Sequence, residues 1–330
     1  MLKVCFIFLA MLLMAGSTQG QQAASQGAGG DDSLAKRSYS DWSKFDPANF
    51  DPEHTYSFQV GDIRVVIGDH YAHGGTDRPS YTGIHHLSHK LRESNVFCPL
   101  YAGMIGIRRQ SRIAPAGDNG AVIWVGEGQS KISEEYIVRP PHYIDHTARF
   151  TAGAQTGAWN NTSYMNGPGD PGIYLLGADG TWVRHYSEKH GHAASVAPAT
   201  MDQLPTVNKV DDSPYPHGGA GFHEGFSEVR FDPNYALFFG RFDDMVLVYM
   251  IERRWGRDLL PYMSPTGGGY SKESDRSNPA WDYRYWLREL TPDQEVIIRT
   301  RVVYKLWAGA QDVLQEYDSW HKELSARQKH

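Results

Sequence analysis

VIIRTRVVYKLW, Val296 to Trp307, decides the fold. Val296, Ile298, Thr300, Val302, Tyr304 and Leu306 alternate with Ile297, Arg299, Arg301, Val303, Lys305 and Trp307. Successive side chains of a strand point to opposite faces, so one face of this segment is largely apolar and the other carries charge. That is the pattern expected of a strand in a sandwich. Upstream, Met245 to Ile251 is apolar at every position, which suits a strand covered on both faces.

The same reading extends toward the N-terminus. Tyr56 to Val60 and Ile63 to Ile67 flank Gly61-Asp62, a two-residue hairpin signal. Ala121 to Val125, Glu135 to Val138 and Tyr143 to Thr151 read as strands, the last two separated by Pro140-Pro141. Ile173 to Leu176 and Trp182 to Tyr186 are joined by Gly-Ala-Asp-Gly, another turn signal. Only Gln311 to Leu324 has helical spacing, with Val313, Leu314, Tyr317 and Leu324 on one side, as in a helix packed over the end of a sandwich. The expected fold is all-β, a large antiparallel β-sandwich with a short C-terminal helix. A jelly roll or propeller is the alternative, and the lack of a blade-length repeat counts against the propeller.

The first twenty residues, MLKVCFIFLAMLLMAGSTQG, have one cation at Lys3, an apolar run from Val4 to Met14 and then small and polar residues. They read as a secretory signal peptide, and a secreted or periplasmic location is expected. Residues 21–41 are rich in Gln, Ala, Gly and Ser and read as a flexible leader, with 42–330 as a single sandwich domain. Taking Lys3 from the 32 basic residues leaves 31 against 38 acidic ones, a charge of −7 with histidines neutral. No basic stripe is present, so nucleic acid is not an expected partner, and no later apolar run is long enough to span a membrane. Once Cys5 leaves with the signal, Cys98 has no intramolecular partner, and its neighbours Phe97 and Pro99 suit burial.

Four polar clusters are candidates for chemistry. Asp69 to His89, DHYAHGGTDRPSYTGIHHLSH, holds five histidines, two aspartates and Arg78, and its glycine and proline breaks place it on a loop. Histidine there can serve as base, as ligand or as donor to sugar hydroxyls, but no familiar zinc spacing occurs, and neither metal nor cofactor is expected. In HYIDHTARF (His142 to Phe150), His142 and His146 share a strand face about 13 Å apart, too far to share a metal. Asp145 and Arg149 on the other face read as cross-strand ion-pair partners.

GGAGFHEGFSEVRF (Gly218 to Phe231) invites a metalloprotease reading that fails, because the second histidine of HExxH would stand at Ser227. On a strand, Glu224 and Glu228 would also lie about 13 Å apart, beyond the roughly 5 to 9.5 Å of paired glycosidase carboxylates. His223 and Glu224 are therefore assigned to a cleft loop. Glu228 and Arg230 are read as a structural pair, although Arg230 is also a candidate substrate contact. The last cluster, Met263 to Trp286, sets the aromatic faces of Trp281, Tyr283, Tyr285 and Trp286 beside Asp282 and Arg284, a combination suited to holding a sugar. Tyr283 and Tyr285, at alternate strand positions, read as core. Two overlapping sequons at Asn160 to Ser163 suggest an exposed loop.

YTGIHHLSHKLRESNVFCPLYAGMIG (Tyr81 to Gly106), PHYIDHTARF (Pro141 to Phe150), SPTGGG (Ser264 to Gly269) and NPAWDYRYW (Asn278 to Trp286) together resemble a group of exported bacterial proteins of polysaccharide-degrading organisms. That group is similar to the galactose-mutarotase-like supersandwich. The resemblance implies a carbohydrate ligand and attaches no mechanism to these motifs. The leading expectation is a secreted glycoside hydrolase with Glu224 and either Asp282 or Asp69 as acid and base. Expected substrate contacts are His73, Arg78, His86, His146, His223, Arg230 and Trp281. Alternatives are a polysaccharide lyase, with a His or Tyr base and Arg78 or Arg230 neutralising the uronate, and a non-catalytic carbohydrate-binding sandwich.

Overall fold

β18 (Glu295–Leu306) is the long alternating strand expected, and it lies between β13 (Met245–Ile251) and β7 (Tyr143–Thr151) in the middle of a ten-stranded antiparallel sheet. The computed structural model describes residues 44–73, 81–97, 110–125, 132–151, 158–161, 163–166, 168, 170, 172–186, 195–198, 231–253, 259–261, 270–271, 276–277, 279–281, 283–286 and 293–327. The sheet continues beyond β7 through β6 (Ile132–Arg139), β5 (Gly120–Val125) and β4 (Ser111–Pro115). Beyond β13 it runs through β12 (Leu237–Phe242), β9 (Ile173–Leu176), β10 (Trp182–Tyr186) and β11 (Ser195–Pro198). Every pairing is antiparallel.

Register sorts the side chains of this sheet into two layers. Thr300 pairs with His146 and Val302 with Ile144 and Tyr249, so these residues share the face that turns inward. Two three-stranded sheets cover that face. One is β1 (Thr55–Val60), β2 (Ile63–Gly68) and β3 (Gly83–His89); the other is β14 (Leu259–Pro261), β17 (Tyr283–Trp286) and β8 (Ala158–Asn161). Tyr283 packs edge-on against Phe238 and Tyr249, and Tyr304 against His89, so one apolar core runs between the layers. This is the antiparallel β-sandwich expected from the alternation. A further pair, β15 (Tyr270–Ser271) and β16 (Arg276–Ser277), forms its own small ribbon.

The charged face of β18 meets the single α-helix among the described residues, α1 (Ala310–Arg327). Its buried residues Val313, Tyr317, Trp320 and Leu324 fall one turn apart. Trp320 belongs to that stripe, and Leu314 lies at its half-buried margin. Lys305 Nζ donates to Glu316 at 2.6 Å and Asp312 at 2.9 Å, and Tyr143 Oη donates to Glu316 at 2.8 Å. Burial alone would raise the Glu316 carboxyl, but His142, 3.8 Å away, and the donors Lys305 and Tyr143 bring it down to about 2.

Several expectations are corrected. Gly83–His89, read as loop, is a strand with all seven residues buried. Asp145 does not pair with Arg149; its carboxylate receives Arg301 Nε and Arg139 Nε, each at 2.6 Å, because Arg301 lies directly opposite in the register. Asn161 is no exposed sequon residue: it is buried in β8 and its amide donates to the Tyr283 hydroxyl. Cys98, the signal and leader segments, and Gly218 to Arg230 lie outside the described residues.

Gly240 on β12 allows the layers to approach, since a Cβ there would stand 2.0 Å from the ring of Trp281, itself wholly buried against Phe242. Neither backbone nor indole can withdraw at no cost in a packed interior. Gly240→Ala is expected to lower stability by about 1–3 kcal/mol in urea unfolding; unchanged unfolding would mean that this contact is loose.

Candidate active site at the β1–β2 corner

The hairpin turn at Gly61-Asp62 sets the register Thr55↔Gly68. One step outward the chain continues to hold together: Asp69 N–H donates to the His54 carbonyl at 3.1 Å. The two side chains therefore meet, with His54 Nδ1 2.9 Å from Asp69 Oδ2. The other oxygen, Asp69 Oδ1, accepts the Tyr71 N–H at 2.8 Å, closing a tight turn. Asp69 is 1% exposed, whereas the His54 side chain keeps 31% of its surface. With Nδ1–H given to the carboxylate, His54 presents a basic Nε2.

The turn gathers more rings around the dyad. Tyr71 meets His54 edge-on at 5.2 Å and lies against His70 at 3.6 Å. Ser111, at the start of β4, fixes His70: Ser111 N–H donates to Nδ1 at 3.0 Å, and its hydroxyl lies 2.7 Å from the same nitrogen. That pattern puts the ring proton on Nε2 of a neutral imidazole. Burial lowers the His70 pKa, and the charge of Asp69 opposes that only in part.

Behind the turn, His73 Nε2 and His85 Nδ1 are 3.0 Å apart. A bond between two ring nitrogens needs one donor and one acceptor, so at least one of these rings is neutral. Burial, then the neighbouring His73, holds His85 well below the usual histidine range.

Of the residues singled out from sequence, Asp69 and His73 come together in this corner. His86 sits on β3, buried beneath Phe45 and 2.9 Å from Ser88 Oγ, with its pKa lowered to about 3 by burial and then by Arg64. His146 faces the sandwich interior against Tyr136, with no hydrogen-bond partner on either nitrogen; burial lowers it to about 3. Trp281 fills the core under Gly240, so its ring offers no open face for a sugar. Tyr283 is likewise core. Glu224, Asp282, Arg78, His223 and Arg230 lie outside the described residues.

Sequence reading missed His54, Tyr71 and Ser111. For His54 the signal was present: extending the predicted Tyr56 to Ile67 hairpin by two residue pairs brings it opposite Asp69. Among the described residues, no group of three or more His, Cys, Asp or Glu is placed to hold a metal, and no helix is long and apolar enough to cross a membrane.

No protein-family model and no curated protein sequence matches the chain. Among solved structures, it is similar to a GalM/aldose epimerase homologue from C. elegans, at 9% identity and a TM-score of 0.43, over 76% of this chain and 98% of that one. It is also similar to a heparinase III gene product, at 10% identity and a TM-score of 0.37, and to the heparan sulfate lyase HepC from Pedobacter heparinus, at 9% and 0.38. Those matches take in 78% and 77% of this chain, and the chain spans 36% of the length of each of those two proteins.

Proposed function

We propose that the protein is a carbohydrate-active enzyme that cleaves a uronic-acid-containing polysaccharide by β-elimination, with His54 as the base. The observation that carries this reading is the state of Asp69: both oxygens are engaged, one by His54 and one by the Tyr71 amide, in a buried setting. A carboxylate so committed orients an imidazole and is poorly placed to protonate a glycosidic oxygen or attack a sugar. The motif resemblance to exported proteins of polysaccharide-degrading organisms supports carbohydrate as the substrate class.

In the proposed reaction, His54 Nε2 removes the proton on the carbon alpha to the uronate carboxyl. The electron pair forms the carbon–carbon double bond as the bond to the glycosidic oxygen breaks, and Tyr71 returns a proton to that oxygen. Arg78 and Arg230, outside the described residues, are the candidates to neutralise the carboxylate. Hydrolysis, expected first from the sequence, would draw on Glu224 and Asp282, also outside them. Secretion, through the N-terminal segment, is part of the same proposal.

Purified protein incubated with a panel of uronate polymers separates the readings. New chain ends that carry the ultraviolet absorbance of an unsaturated uronate are expected. Reducing ends without that absorbance would replace elimination with hydrolysis, and retention on the polymer without products would make the chain a binding module.

A further inference from the structure

A second site lies on the opposite side of the ten-stranded sheet, between the last turns of α1 and strands β7 and β18. A cavity of about 200 Å³ there is lined by residues 145–147, Arg299, Thr300, Trp320, Leu324 and Arg327. It is smaller than the roughly 300–1,000 Å³ of pockets for drug-sized ligands, which limits it to a single small ring. Its walls combine an indole and an aliphatic side chain with a hydroxyl and two guanidinium groups.

The guanidinium groups are incompletely used. Arg299 spends Nη1 on Glu252, at 3.2 and 3.4 Å. Arg327, 51% exposed, stands 3.8 Å from Asp145 and 3.7 Å from Glu323, distances of ion pairing without a hydrogen bond. Asp145 is already held by Arg139 and Arg301. Arg299 and Arg327 thus keep guanidinium donors beyond these ion pairs, on a face that also carries Glu135, opposite Thr147 in the register. Guanidinium forks match carboxylates, and an aromatic wall with a hydroxyl suits a hydroxylated ring.

We infer that this cavity is an accessory subsite for a sugar acid, binding one uronate unit through Arg327 and Arg299. The choice of a uronate rests on the proposed reaction; the charge and size of the cavity do not. Occupying it would hold a polymer to the face of the sandwich remote from the β1–β2 corner.

Calorimetric titration of the full chain with glucuronate and with glucose tests the inference. Glucuronate is expected to bind at least about tenfold more tightly than glucose, the scale of one charge-assisted pair. Arg327→Ala, at an exposed helix end where folding is not at stake, should remove most of that difference, and Thr147→Val should weaken both sugars. Equal affinity for the two sugars, or an unchanged Arg327→Ala, would each overturn the subsite. If glucuronate binding depends on Arg327 but no polymer is cleaved by elimination, the subsite stands and the proposed reaction falls.

Discussion

His54→Ala is expected to lower turnover on a cleaved uronate polymer by about 10²–10⁴-fold, the usual contribution of a positioned general base. The variant should fold normally, because the His54 side chain is at the surface and its loss leaves Asp69 still accepting the Tyr71 amide. Asp69→Asn is the sharper companion. An asparagine can keep the turn through its carbonyl oxygen while presenting its amide to Nδ1, which favours the imidazole tautomer with the proton on Nε2 and removes the base. Turnover should fall nearly as far as in His54→Ala, and the double variant should be little worse than either, since the two residues act as one unit. Additive losses would mean that Asp69 and His54 serve separate roles, and full activity in His54→Ala would remove the corner from the reaction.

Glu134→Gln is expected to stabilise the protein, increasingly so as the pH rises. Glu134 on β6 turns into the sandwich beside Tyr136, whose hydroxyl donates to Oε2 at 3.2 Å, and it has no solvent exposure. Burial pushes its carboxyl well above the usual range, against the smaller opposing effect of the Tyr136 hydrogen bond. The folded protein therefore retains a proton that the unfolded chain releases near pH 4.5. Stability is fully present below that pH and falls as pH rises toward the folded value, by about 1.4 kcal/mol per unit.

Glutamine keeps an oxygen for Tyr136 and carries no titrating group. Urea unfolding of both proteins at pH 5 and pH 8 isolates the effect in their difference, because the buried histidines titrate in both. A difference that does not grow between the two pH values would show Glu134 ionised in place.

The strands that were legible in the sequence are those where alternation and turn chemistry agree. β18 carries six apolar or hydroxyl residues on one face and cations on the other, and the β1–β2 hairpin is bracketed by Gly61-Asp62. β3 was hidden because its pattern, GIHHLSH, places imidazoles where a buried strand ordinarily has aliphatics. Burying them is possible because they bond to one another and to serine: His85 with His73, His86 with Ser88. No rule of local propensity anticipates that pairing. β12 was missed for a different reason: LFFGRF lacks alternation, and its glycine serves a tryptophan distant in sequence.

The site divides in the same way. Asp69 and His73 could be picked out as polar residues on a turn. The role of Asp69 as an orienter could not, because it depends on His54 across the hairpin. Trp281 looked like a sugar platform because its neighbours are polar and aromatic; what makes it core is Gly240, on a strand of the opposite layer.

The place of β18 also bears on how the chain is made. Strands β4 to β7 are sequential neighbours and can zip together while synthesis continues, as can β9 and β10 or β12 and β13. The last two blocks join through the β9–β12 pairing, but neither joins the β4–β7 block until Glu295–Leu306 leaves the ribosome, since β18 bridges β7 to β13. Until then the inward edges of β7 and β13 are open strand edges of the kind that pair with other chains. A nascent chain stalled short of that strand would present both edges at once, which makes the synthesis of the stretch between β13 and β18 the interval in which chaperones matter most to this protein.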